Sequence, residues 1–163
     1  MDVRTDKHTL ETTTARNPHS TAQIAGHPLH PMLIPFPVAF FVATFACDLM
    51  FMRNASTDWV MATQWLLGAG LAMAALAAVM GLIDFLGEHR IRNLNAAWLH
   101  AGGNVVVVLL SAVNWYMRYT AGAAAGVSST EMILSGVVVL ILLFTGWMGW
   151  EMVYRHRVGI SET

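Results

Sequence analysis

Charge is what this sequence has least of. Asp, Glu, Lys and Arg make up 12% of its 163 residues, about half the share typical of a soluble domain. With 56% hydrophobic residues, that deficit excludes an ordinary soluble domain and places the chain in the membrane class. The formal net charge of −1 excludes a basic footprint, so no nucleic-acid partner is expected. A single cysteine, Cys47, excludes an intrachain disulfide and leaves the redox compartment unread. It lies in an apolar run and reads as a small buried hydrophobe. No glycine-rich phosphate loop and no Ser/His/Asp constellation is present, so soluble-style nucleophilic catalysis has no support and enzymatic activity is left open. No internal repeat is expected beyond four hydrophobic runs.

Those runs are what the sequence does have. They cover Met32 to Met52, Trp59 to Leu86, Leu94 to Tyr119 and Met132 to Val153, each near the ~20 residues that a spanning helix needs. The connections are short, so neighbours run antiparallel. The expected fold is all-α: an integral membrane bundle of four antiparallel helices over residues 26–160. Residues 1–25 are polar and lack an apolar core, so they predict a disordered tail and not a signal peptide. Pro35 and Pro37 are tolerated in a first helical turn but not further in. They predict a helix start near Pro35, with His27–Pro31 extended or turn-like before it. Gly68, Gly70, Ala74, Ala78 and Gly81 are small residues near fourfold spacing, the pattern that lets helices approach closely in lipid. The stretch 120–130 is small and polar and predicts a flexible loop.

Orientation follows from basic residues. Arg4, Lys7, Arg16, Arg90, Arg92, Arg155 and Arg157 fall on one side, and Arg53 and Arg118 on the other. Seven against two predicts that both termini are cytoplasmic in a multi-pass protein of the inner membrane.

Helix counting then collects the unusual polar groups. His27 and His30 stand at the start of the first helix, Asp84 and His89 at the end of the second. His100 lies in the third, with Asn104 one turn on, and Glu151 and His156 close the fourth. All five non-tail histidines therefore lie towards the cytoplasmic side. Neutral imidazole is the commonest nitrogen ligand of transition metals and the usual axial ligand of haem iron. His27, His30, His100 and His156 are the candidate ligands of haem b or of a transition-metal ion. Asp84, Asn104 and Glu151 are candidates to hold those imidazoles by hydrogen bonds.

Plainer readings compete for several of these residues. His156 suits a helix C-terminus by the dipole alone. Glu151 and Arg155 are spaced as a helical surface pair. Asp84 can cap a helix or pair with Arg90 or Arg92, and His89 in a basic connection reads as solvated.

Taken in order, Gly26-His27-Pro28-Leu29-His30-Pro31, Gly81-Leu82-Ile83-Asp84, His100 with Asn104, and Gly146-Trp147-Met148-Gly149 through Glu151 to His156 form a pattern. It resembles the bacterial membrane family called domain of unknown function 2231, over about residues 25–160. The resemblance implies a four-helix membrane domain and no established activity. Some relatives are joined to Rieske-type iron–sulfur domains, which implies electron transfer by analogy. Many relatives carry histidine where this chain has Pro35, which implies one fewer ligand here or a different site.

The leading expectation is a small redox protein with a histidine-rich site at the cytoplasmic side. Its partners would be the lipid bilayer, a redox protein and further copies of itself. A proton-coupled carrier using the histidines and Asp84, and a non-catalytic subunit binding a partner, are the alternatives.

Overall fold

The computed structural model describes residues 17–160. The expectation of a disordered tail over residues 1–16 lies outside the described residues. Over residues 17–25 it is corrected. This segment is a strap laid across one end of the bundle, and Gln23–Ile24 (β1) pairs antiparallel with His27–Pro28 (β2).

The long helix of the first span starts at Pro35, as its prolines suggested, but a short helix precedes it. A short helix, α1 (Leu29–Leu33), follows Pro28, and α2 (Pro35–Asn54) follows α1. Pro35 and Pro37 have no N–H to offer the preceding turn. The helix therefore breaks at Ile34 and restarts with prolines in its first turn, where their missing donors cost nothing. His30 and Pro31 belong to the helical turn and only His27–Pro28 is extended, which corrects the reading of His27–Pro31 as a single turn-like piece.

The remaining spans are α3 (Thr57–Gly87), α5 (Asn95–Ala121) and α6 (Ser129–Trp150), with a four-residue helix α4 (His89–Arg92) between α3 and α5. A π-helical turn, Glu151–Arg155, extends α6. Local signals fix the boundaries. Ser56 caps α3 through Asp58 N–H, and Ser128 and Glu131 cap α6 reciprocally, satisfying N–H groups that have no partner inside a helix. The stretch expected as a flexible loop holds a 3-10 turn, Ala123–Ala125, and Gly126 at φ +78° beneath the Phe51 ring.

All four spans are long and apolar enough to cross a membrane. Helix α2 packs on α3 and α6, and α5 packs on the same two, so α2 and α5 face each other across the diagonal. The buried apolar centre is Phe41, Leu67, Ala74, Val107 and Val138. Gly70 lets the Phe41 ring lie against the α3 backbone, because a Cβ there would fall 2.6 Å from the ring.

The two hairpins, α2–α3 and α5–α6, repeat one another. The buried residues of α2 are Pro37, Phe41, Thr44 and Asp48; in the second half of α5 they are Val107, Ser111, Asn114 and Arg118, each 70 positions later. Thr63, Leu67, Gly70 and Ala77 of α3 correspond in the same way to Glu131, Ser135, Val138 and Thr145 of α6, each 68 positions later. Side-chain identity is not kept at these buried positions, and that is why no repeat was expected. Register and burial are kept.

Candidate functional site

At the strap end of the bundle, His30 and His100 come together. His30 lies in the α1 turn and His100 less than two turns into α5, and the ring centroids are 6.1 Å apart with the planes at 82°. They are held alike. His30 Nδ1 is 2.8 Å from the Ala77 carbonyl oxygen of α3. His100 Nδ1 is 2.8 Å from the Thr145 carbonyl oxygen of α6. A carbonyl oxygen can only accept, so Nδ1 carries the proton in both rings. Neutral rings then keep a lone pair on Nε2, and neither Nε2 makes a hydrogen bond among the described residues. That arrangement leaves an imidazole able to ligate through Nε2.

Two glycines seat the rings. A Cβ at Gly81 would fall 2.9 Å from His30 Nδ1, and a Cβ at Gly149 would fall 3.3 Å from His100 Cε1. Gly81, expected as a helix-contact glycine, meets a neighbouring helix through the His30 ring of α1. The seats obey the repeat: Ala77 and Gly81 correspond to Thr145 and Gly149.

The other expected site residues lie elsewhere. His27 is exposed, with Nδ1 3.0 Å from the Ala25 carbonyl. His156 is exposed beyond the π-helical turn. Asn104 is beside His100 but donates to its backbone carbonyl at 2.8 Å, not to the ring. Glu151 accepts from Arg155 at 3.0 Å, the plain surface pair. No group of three or more His, Cys, Asp or Glu suited to a metal ion exists among the described residues.

Asp84, expected beside the histidines, holds the strap instead. Its Oδ1 accepts from Ser20 Oγ at 2.8 Å and from the Thr21 and Ala22 N–H groups at 2.7 Å each. The Ala22 carbonyl in turn accepts the Leu29 N–H at 2.9 Å, immediately before His30. Glu88 anchors the same region. It is 3% exposed, accepts from Arg90 Nη2 at 2.7 Å, and has His19 Nδ1 at 3.0 Å. The Arg90 hydrogen bonds pull its pKa down to about 2, so it stays ionised through the mildly acidic range.

The far end holds a second cross-diagonal pair, which the sequence reading missed. Asp48, within the first apolar run, and Arg118, counted with Arg53 on the side opposite the termini, are both fully buried. The guanidinium grips the carboxylate with two bonds, 2.7 and 2.9 Å. Its remaining N–H groups go to Asn114 at 2.9 Å, Thr63 at 2.8 Å and Ser135 at 3.3 Å. One cluster thus joins α2, α3, α5 and α6. A signal existed: Asp48 interrupts an apolar run and needs a partner, and Arg118 follows His100 by the same 18 positions as Asp48 follows His30. That spacing separates the two pairs by ~27 Å along the helix, close to the thickness of the hydrocarbon core.

No curated protein and no solved structure matches this chain. A family model described as a predicted membrane protein, DUF2231, matches residues 26–162, from the glycine before His27 through the four spans and the π-helical turn. The chain belongs to the DUF2231 family of predicted membrane proteins.

Proposed function

We propose that His30 and His100 form a two-imidazole centre for haem b or a transition-metal ion, serving electron transfer at one face of the membrane. The observation that carries this reading is the matched pair of rings, each fixed as the Nδ1–H tautomer on a glycine seat, 6.1 Å apart. Two imidazoles with no carboxylate beside them are a sparse donor set. His30 and His100 would hold a haem, which supplies its remaining ligands itself, or a soft ion content with two ligands, such as cuprous copper. They do not suit ions that want four or six protein ligands. A carrier reading has less behind it. The far-end charges are locked to each other, and the apolar layer of Phe41, Leu67, Val107 and Val138 lies between the two ends.

The test is cofactor content. Full-length protein from cells supplied with haem precursor and copper is purified in mild detergent, then read by absorption and elemental analysis. One centre per chain is expected. His30→Ala and His100→Ala should each empty it, whereas His27→Ala, His89→Ala and His156→Ala should leave it full. Protein free of both cofactors, or full occupancy in His100→Ala, would sink the reading.

We also place this end on the cytoplasmic side of the inner membrane. Burial of Arg118 supports this, because it leaves Arg53 as the one basic residue in the connections of the opposite side. In a Cys47→Ala background, a cysteine at Ser128 should react with an impermeant maleimide in cells whose inner membrane is intact. One at Ser161 should react only after permeabilisation, and the opposite pattern reverses the orientation.

A further inference from the structure

The two rings have matching seats, but the turns that carry them are mounted differently. The positions of α1 have their equivalents at residues 99–103, inside the unbroken helix α5. Pro35 and Pro37 stand where α5 has Val105 and Val107. Lacking N–H groups, these prolines cannot bond to the Pro31 and Leu33 carbonyls one turn back. The turn bearing His30 is therefore weakly joined to α2, whereas His100 rides on a continuous span. Nothing within α1 makes up the deficit. Its N-cap, Pro28, makes no side-chain cap, and a helix of five residues is far too short to hold itself.

The strap supplies what α1 lacks. The Leu29 N–H, without a partner inside its helix, donates to the Ala22 carbonyl at 2.9 Å. Ala22 is fixed in turn by Asp84, which takes its N–H together with the Thr21 N–H and the Ser20 hydroxyl. The Thr21 hydroxyl adds a bond to the Ile83 carbonyl at 2.9 Å. Other ties of the strap act on residues 17–19: Asn17 with Ile160 and Arg90, Pro18 with Gly159, and His19 with Glu88. Asp84 thus grips the part of the strap that is bonded to α1. It does so with one oxygen, since every one of these bonds falls on Oδ1 and Oδ2 makes none among the described residues.

We infer that the strap is a latch on the histidine pair. Asp84, acting through Ser20–Ala22 and Leu29, sets whether the His30 ring stands against His100. Releasing it lets the α1 turn leave α3 while His100 keeps its place. Asp84 is then a positioning residue for one ring of the two. The latch regulates the two-imidazole centre proposed above, and its purpose rests on that reading.

The test reads the rings themselves. Full-length protein carrying nitrogen-15 in its imidazoles is held in mild detergent, and its ring nitrogen resonances are assigned with His30→Gln and His100→Gln. In Asp84→Ala, His30 should lose the fixed Nδ1–H pattern and His100 should keep it. Asp84→Asn retains an acceptor oxygen at the Oδ1 position, so it should keep both. A covalent latch provides the rescue. A Cβ at Gly87 would fall 2.9 Å from the Thr21 Cβ, within about 1 Å of the spacing a disulfide takes. In a Cys47→Ala background, Thr21→Cys/Gly87→Cys combined with Asp84→Ala should show the His30 pattern when oxidised and lose it when reduced. Both rings unchanged in Asp84→Ala, or both lost together, would overturn the latch. So would Asp84→Asn behaving as Asp84→Ala does, or an oxidised tie that leaves His30 free. No cofactor enters the measurement, so an empty centre and a failed latch are told apart.

Discussion

Arg118→Ala should be the most damaging single change in the molecule. It leaves the Asp48 carboxylate fully buried with both guanidinium hydrogen bonds gone. Removing one partner of a buried pair costs about 3–5 kcal/mol, because the surviving charge remains desolvated. The loss extends to three other helices, since Thr63, Asn114 and Ser135 also give up their guanidinium contacts. Thermal unfolding in mild detergent would show it as a large fall in midpoint. Arg155→Ala provides the comparison. It removes the same chemical pair from an exposed setting, where Arg155 is 69% exposed and bonded to Glu151 one turn away, and such pairs contribute less than about 1 kcal/mol. Equal midpoints for the two variants would show that the buried cluster is not what holds the four helices in register.

Gly81→Leu is expected to act at the opposite end. The new Cβ would fall 2.9 Å from His30 Nδ1 and 3.0 Å from Cε1, so the ring must swing off its seat. Overpacking of this kind costs about 1–3 kcal/mol, and the bond to the Ala77 carbonyl goes with it. Two readouts should move together: the unfolding midpoint drops, and the imidazole nitrogen resonances show His30 losing its fixed Nδ1–H form. Gly149→Leu should do the same to His100, because the seats are equivalent. Leu82→Ile, one position along α3 and 55% exposed, should change neither. Similar tolerance at Gly81 and Leu82 would remove the seat from the account of His30.

Much of the fold was legible because lipid imposes simple rules. A backbone in hydrocarbon must satisfy its own hydrogen bonds, so long apolar runs become helices. The four runs were therefore found within a few residues of their ends. The strap was less legible. Residues 17–25 look like polar tail because what fixes them is distant: Asp84 accepts two of their backbone N–H groups, and Glu88 faces His19. Nothing local in Ser20-Thr21-Ala22 announces that partner. The candidate site was half legible. His30 and His100 stood out as polar groups within the reach of apolar helices, but so did His27 and His156, which the structure leaves exposed. Helix counting gave the end of the bundle near which each lies, not the face of the helix to which its ring turns.

The sequence by itself determined the class, the number of crossings and the antiparallel order. These depend on composition, run length and alternation of direction, which are properties read along the chain. The tertiary structure decided which polar residues meet: His30 with His100, Asp48 with Arg118, Asp84 with the strap. Those meetings span 62 to 70 residues and depend on helix rotation. A turn of ~100° per residue in a 3.6-residue helix separates a side chain in the bundle centre from one in lipid. That rotation is set by packing, by Phe41 against Gly70 and by imidazoles against Gly81 and Gly149. In lipid, apolar periodicity is too weak to fix it, because the membrane accepts the same residues as the core.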